Sequence, residues 1–516
     1  MSDHEAGGAA PEPPTPPAPA AKGSTIGGKV SRGIAWNLVG AAVSNAVRVL
    51  VLIALGRLLA PAEIGVVAKA MTVLVFINVI RDLGLGSALV QHKQPTRAHI
   101  RTAFTVGFTM SCALAAVLAL AATPIAAAYR SPAIAPMLRW LAVMVVIRGL
   151  ATVAFQLSKR ALDFRTIALS DALGYTVGAL SSVVFAALGL GPWSLIYGYL
   201  LETALSTAWI VRKHVSSLRL GFDGAAFREL FRYGAGETVQ TIASVVATQG
   251  DYVVIGRQLG DAPLGFYQRA YELVRFPATT FSSVVGSVLF PAFARLQDDR
   301  EELARAFRRV LFATALVLLP ASAVLIVLAE EVIFVVLGPQ WAGAVLPFRI
   351  MCVGMLFRTN YKVGALVARA RGDVYGVATT QLLYAFSIVA GAAVAVRWGV
   401  AGVATSTTLA IWILFATLTW LGLRHTALRW RDVLACHAVP AAIAALTATL
   451  SGVVAMPLRS LHVPPAAVVA LASLAGALAF AACLFVARRR ADEEWRWLFA
   501  QAGALRDKLR RRRRSA

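Results

Sequence analysis

Eight cations sit inside apolar runs of this chain: Arg48, Lys69, Arg148, Arg269, Arg275, Arg349, Arg358 and Lys362. Each would cost roughly 3 kcal/mol or more at a bilayer centre if it faced lipid, so most must face a hydrated cavity, pair with an acid, or snorkel. Arg48, Lys69, Arg148, Arg269, Arg358 and Lys362 are the candidate substrate-binding residues. On a helical projection Arg48 lies within about 40° of Asn37 and Ser44, in a polar stripe. Lys69 and Arg269 occupy equivalent positions in an internal repeat. For Arg269 the competing reading is a local ion pair with Glu272, one turn on. Arg358 and Lys362 share a helix face, directed at a cavity or at the inner interface. Arg148 has no obvious local partner, whereas Arg349, near an outer helix end, is read as snorkelling. Glu202, Glu237, Asp251 and Glu272 are the available acids, either partners for these cations or sites for coupling to a proton or sodium gradient. More cations than acids fits an anionic substrate, and a pyrophosphate can accept several charge-assisted hydrogen bonds from arginine forks.

The elements that must position these groups centre on Glu237–Pro277. Glu237, Gln240, Thr241, Ser244, Thr248 and Asp251 fall within roughly 100° of arc on one apolar helix. Gly256-Arg257-Gln258-Leu259, a turn, and Gly265 through Arg269-Ala270 follow. The same pattern occurs 200 residues earlier, as Gly56-Arg57-Leu58-Leu59, a turn with Pro61, and Gly65 through Lys69-Ala70. Two copies of one helix pair suggest a two-lobed membrane transporter.

Composition agrees. The 516 residues are 58% hydrophobic and 15% charged, with a mean hydropathy of +0.69; soluble domains sit nearer 45–50% and about 25%. The expectation is an all-α membrane protein with about 14 transmembrane helices, in two pseudo-symmetric six-helix lobes plus two C-terminal helices. Runs of about 20 apolar residues can be placed fourteen times, from 34–55 to 466–487. The seventh, eighth and tenth runs are the least apolar. The net charge of +24 does not indicate nucleic acid, because the cations lie between apolar runs and no loop is long enough for a folded basic face. Most of the 50 Lys and Arg fall on one set of loops. Arg57, Arg130, Arg139, Arg257, Arg397 and Arg459 fall on the other, which places both termini in the cytoplasm.

The expected organisation is a Pro/Ala-rich leader at 1–28, a six-helix lobe at 29–212, an amphipathic linker at 213–233, a second lobe at 234–425, two extra helices at 426–487 and a basic tail at 488–516. Trp495, Trp497, Leu498 and Phe499 give the tail an amphipathic surface character. The chain carries no complete Gly-x-x-x-x-Gly-Lys-Ser/Thr phosphate loop (its one partial match, Gly23 to Lys29, is followed by Val30), no Asp-x-Asp pair and no ligand spacing among its four cysteines. No catalytic residue, metal or cofactor is therefore expected, and the chain is read as a transporter, not an enzyme.

Residues 56–93, 160–203 and 250–299 resemble the Wzx-type polysaccharide flippases. They are most similar to the colanic-acid-exporter-like branch of the multidrug/oligosaccharidyl-lipid/polysaccharide exporter superfamily. The third stretch carries Asp-Tyr-x-x-Ile-Gly-Arg (251–257), Leu-Gly-x-Tyr-x-Arg-Ala-Tyr (264–271) and Phe-Pro-Ala-Phe-x-Arg-Leu-Gln-Asp-Asp (290–299) in order. The resemblance implies two six-helix lobes plus two extra helices. It also implies movement of an undecaprenyl-pyrophosphate-linked oligosaccharide from the inner to the outer leaflet of a bacterial inner membrane, for lipopolysaccharide or exopolysaccharide synthesis. Membrane lipids, a polysaccharide polymerase and chain-length proteins are the implied partners. A multidrug or cation antiporter, or a peptidoglycan lipid-precursor flippase, on the same scaffold are the alternatives. A membrane glycosyltransferase would need a sizeable outer catalytic loop, which the chain lacks.

Overall fold

The computed structural model describes residues 47–82, 88–90, 92, 95–488 and 494–500, with side chains at 82, 216, 232–240 and 276–292 outside the description. The leader, Asn37, Ser44 and the arginines at 510–514 lie outside the described residues, as do the side chains of Glu237 and Gln240. Among the described residues there is no strand. The helices are α1 (47–58), α2 (Pro61–Asp82), α3 (Arg97–Ala128), α4 (Ile134–Arg160), α5 (Phe164–Ala187), α6 (Trp193–Val211), α7 (Gly224–Gln258) and α8 (Asp261–Arg295). They continue with α9 (Arg300–Val327), α10 (Ala329–Val336), α11 (Val345–Val353), α12 (Phe357–Ala370), α13 (Val374–Ala395), α14 (Gly399–Arg424), α15 (Trp430–Ser460) and α16 (Pro465–Ala487).

Local chemistry sets where many of these begin. Asp163, Asp223, Asp299 and Asp373 each stand just before a helix and accept from its first free backbone N–H groups, which would otherwise lack partners. Between α7 and α8 the chain turns at Gly260, whose φ of +98° suits a residue without a Cβ.

Packing repeats between the lobes. In the first lobe α3 packs on α4, α5 on α6, α4 on α6 and α2 on α4. The second lobe repeats each pairing: α9 on α11 and α12, α13 on α14, α12 on α14, and α8 on α12. Its counterpart of α4 is broken into α11 and α12 at Gly354. The two C-terminal helices attach to the second lobe, α15 along α9 and α16 against α15 and α10. Ten helical stretches among the described residues are long and apolar enough to cross a membrane, one of them, Val374–Arg424, holding both α13 and α14. Both α7 and α8 fall outside the ten, in keeping with the low apolarity of the seventh and eighth predicted runs. The chain is a multi-pass, two-lobed, all-α membrane protein.

One expectation is corrected. Trp495 is not on a surface face: it is buried at 1% exposure, edge-on to Phe312 at 5.1 Å, while Glu494 pairs with Arg308 at 2.7 Å. A large aromatic with a lobe within reach gains more by burial there than at an interface.

Candidate functional site: a cavity between the lobes

The lobes meet where α2 crosses α8. A Cβ on Gly65 would lie 1.8 Å from the Asp261 carbonyl oxygen, and one on Gly265 would lie 2.0 Å from that of Pro61. The two contacts are the same contact, exchanged by the 200-residue repeat. They show a pseudo-two-fold relation between α2 and α8 and backbones in direct apposition, which small residues permit in a membrane. Buried Lys69 reaches across to Asp261 at 2.6 Å and donates to the Tyr129 carbonyl at 3.3 Å. From the second lobe, Trp341 Nε1 and Gln340 Nε2 donate to the Gly56 carbonyl at 2.7 and 2.9 Å. This end of the bundle is closed.

Beyond the closure lies a cavity of about 270 Å³. Its lining includes Arg48, Arg269 and Arg275, the acids Glu202 and Glu272, the amides Gln249 and Gln268, and Tyr175, Tyr199, Tyr252 and Tyr271. Small residues place the first-lobe wall. Gly174, Gly178 and Ser182 recur every fourth residue on α5 and face Gly198, Glu202 and Ser206 on α6. A Cβ on Gly178 would meet the Glu202 Cβ at 2.6 Å, and one on Gly198 would meet the Ser182 hydroxyl at 1.8 Å. The helices therefore pack nearly backbone to backbone, and Tyr175 and Glu202 project into the cavity from that seam. Arg48 stands over the Tyr175 ring at 5.3 Å. Arg269 Nη1 pairs with Glu272 Oε2 at 2.6 Å. Thr72 donates to Gln249 at 3.3 Å, joining the lobes between closure and cavity.

Of the six candidate cations, then, Arg48 and Arg269 line the cavity and four sit elsewhere. Lys69 is at the closure, because Asp261 captures it. Arg358 is buried inside the second lobe, 4.8 Å over the Tyr271 ring. Lys362 is one turn further along, half-buried near Arg275. Arg148 lies within electrostatic reach of Asp171 and Glu202, the interhelical partner that its own helix does not supply. Among the acids, Glu202 and Glu272 line the cavity, whereas Asp251 is 3% exposed inside the second lobe. There it accepts from Tyr267 at 2.5 Å, and the same hydroxyl sits 2.9 Å from Thr407. The polar stripe of α7 thus divides: Thr241, Ser244 and Thr248 are exposed and Asp251 is covered.

Sequence reasoning passed over Asp261, Asp171, the lining tyrosines and glutamines, and the cavity role of Arg275. A signal existed for some of these. Gln268, Glu272 and Arg275 recur at i, i+4 and i+7, one face of α8. Among the described lining residues no histidine or cysteine appears, and three arginines stand against two glutamates. The lining tyrosines add apolar ring faces with polar tips.

Comparison with known proteins gives a consistent picture. The family described as "Polysaccharide biosynthesis protein" matches residues 54–346. The chain is 29% identical over 315 residues to the succinoglycan biosynthesis transport protein ExoT of Rhizobium meliloti, covering 61% of this chain and 64% of that protein, just under two thirds of its length. It is 24% identical to the lipopolysaccharide biosynthesis protein WzxC of Escherichia coli, covering 67% and 71% of the two chains. The teichuronic acid biosynthesis protein TuaB of Bacillus subtilis is 22% identical, with 72% and 79% covered. In fold, the structure is similar to lipid II flippase MurJ in an inward closed conformation, with a TM-score of 0.74, 14% identity and coverage of 88% and 98%. An inward-facing multidrug resistance MATE family transporter follows with a TM-score of 0.58, 15% identity and coverage of 74% and 95%.

Proposed function

Because the chain belongs to the polysaccharide biosynthesis protein family, we propose that it flips an undecaprenyl-pyrophosphate-linked oligosaccharide repeat unit across the bacterial inner membrane by alternating access, for surface or exopolysaccharide synthesis. The observation that carries this reading is the interlobe cavity, lined by three arginines and four tyrosines and closed at one end by the α2–α8 crossing. Arg48, Arg269 and Arg275 are the groups to hold the pyrophosphate, since guanidinium forks match its oxygens. Tyr175, Tyr199, Tyr252 and Tyr271 offer ring faces and hydroxyls to sugars, while the polyprenyl chain stays in lipid. The names of the relatives, which concern succinoglycan, lipopolysaccharide and teichuronic acid, support a glycan cargo.

The loop charges support an orientation with the closed end outside and both termini in the cytoplasm. The cavity is then in its loading state, and parting of α2 from α8 releases the headgroup. Rocking of two parallel repeats about a site between them is a known transporter design. Glu202 and Glu272 are the acids placed to couple a proton or sodium ion to that motion, with Asp251 in reserve inside the second lobe. A polymerase and chain-length proteins are the protein partners this role calls for.

The test is polymer export in a host lacking its own flippase. Arg269→Ala should insert at normal levels and fail to restore export. Full export at equal protein level would remove Arg269 from the site.

A further inference from the structure

The end of the bundle opposite the closure carries a cluster unrelated to the cavity. Nε2 of His92 lies 3.0 Å from Glu229 Oε1, and Nε2 of His99 lies 3.1 Å from Oε2. The three ligand atoms lie within 4.8 Å of one another, with the imidazole centroids 4.6 Å apart. We propose that His92, His99 and Glu229 form a binding site for a divalent transition metal of the zinc class, which staples the interlobe helix α7 to the first lobe.

The ligand set is chemically apt. Two imidazole nitrogens and one carboxylate, with a fourth position open to solvent, is a standard zinc complement. Tetrahedral ligands about 2.1 Å from zinc are separated by about 3.4 Å; each imidazole is already near that distance from one oxygen of Glu229, and the widest ligand separation, up to 4.8 Å, closes by side-chain rotation. The side chains are 22% and 12% exposed for His92 and His99, and 59% for Glu229; an ion can enter without unfolding anything.

Each ligand is held by contacts outside the cluster; for His92 it is Arg160, whose Nη1 donates to the His92 carbonyl at 2.6 Å. Thr96 caps α3 and fixes His99: the His99 N–H donates to Thr96 Oγ1, and Oγ1 lies 2.7 Å from His99 Nδ1. As the structure stands, Nδ1 accepts from the Thr96 N–H at 3.3 Å; with metal on Nε2 the ring proton moves to Nδ1, which gives up that capping bond and donates instead to the Thr96 hydroxyl, the outer-shell arrangement that orients ligating histidines. Glu229 is carried on the first turns of α7. Asp223 caps that helix and donates its own N–H to Thr102 at 2.9 Å, and Gly221 N–H donates to Thr105 at 2.9 Å. Leu230, next to Glu229, is buried beside Phe104. The pattern is invisible in the sequence because His99 and Glu229 stand 130 positions apart.

The test uses the full chain in detergent, purified without a polyhistidine tag and stripped with chelator. Zinc is titrated in competition with a chromogenic chelator, and Co²⁺ is added separately to read the visible bands of tetrahedral coordination. The wild type should take up one equivalent of Zn²⁺ and give the cobalt bands. His99→Gln and His92→Gln should lose both, and Glu229→His should keep zinc through a three-histidine set. Thr96→Ala should weaken zinc binding by roughly 10–100-fold, the usual cost of an outer-shell partner. Equal zinc uptake by the wild type and His99→Gln would overturn the assignment and leave a hydrogen-bonded clamp only.

Discussion

The two copies of the repeated helix pair share a backbone and differ in charge. At the crossing, Gly65 touches residue 261 and Gly265 touches residue 61, so the main-chain contact is symmetric. The side chains one turn further on are not. Lys69 finds Asp261 across the interface and is buried at 1% exposure. In the first copy the counterpart of Asp261 is Pro61, which offers no charge, and Arg269 pairs with Glu272 on its own helix. The repeat therefore shares a symmetric backbone contact and differs in its charges: Lys69 pairs across the interface at the closed end, and Arg269 pairs within its own helix and lines the cavity.

The strongest way to break this symmetry is steric. Gly65→Val or Gly265→Val places carbon where a carbonyl oxygen lies within about 2 Å, which no rotamer relieves. Either variant should insert yet never close, abolishing export. A cysteine at Thr72 in a cysteine-free background should then react with a membrane-impermeant thiol reagent from the outside; continued protection would show that the lobes close by another route.

Removing the latch alone should do less. Asp261→Asn leaves Lys69 a neutral amide oxygen beside the Tyr129 carbonyl and ring, and removes its counter-charge. An under-compensated buried charge of this kind costs about 2 kcal/mol, or roughly 30-fold in the closed-to-open ratio, after discounting for the partial exposure of Asp261. The same thiol-labelling rate measures it. An unchanged rate would mean that the backbone contact carries the closure unaided.

In the second copy, Arg269→Lys keeps the charge and loses the fork. Export should slow by roughly tenfold, about 1.4 kcal/mol, with the Thr72 labelling rate unmoved. A shift in labelling instead would merge the roles assigned to the two copies.

The smallest effect concerns the far ends of the lobes. Asp163 caps α5 and pairs with Lys213; its counterpart Asp373 caps α13 and pairs with His425 at 3.2 Å. The hydrogen bond from His425, with that from the Gly376 N–H, holds the Asp373 carboxyl below its usual range despite some desolvation. For Asp163, desolvation pushes upward but the bonds from Lys213 and Thr166 outweigh it. A depressed carboxylate contributes its full stabilisation above its unfolded pKa of about 3.9 and loses it as pH falls through the folded value. The thermal-stability advantage of the wild type over Asp373→Asn should hold from pH 7 to 5 and shrink progressively as pH falls below about 3.9 towards the depressed folded value. An advantage that stays constant down to the lowest pH at which the fold survives would assign the capping to the neutral acid.

Legibility followed the range of the interaction. The helical repeat, the apolar runs and the Arg269–Glu272 pair are local or periodic, so they can be read directly from the chain. The partner of Lys69 is not, since Asp261 and Pro61 acquire meaning only once α2 and α8 cross. Arg358 illustrates the reverse error. Its spacing from Lys362 suggests a shared face directed at a cavity or at the inner interface, yet α12 is wrapped by α8 and α14, and the guanidinium ends over Tyr271.

By itself the sequence determined an all-α membrane protein of two related lobes, because a bilayer demands long apolar helices and duplication leaves a fixed offset. It also determined that cations would outnumber acids within the membrane. Only the tertiary structure decided which cations face a common space. In a bundle, every helix face is someone's interior, and whether a charge is latch, ligand or buried partner depends on the helix placed opposite it.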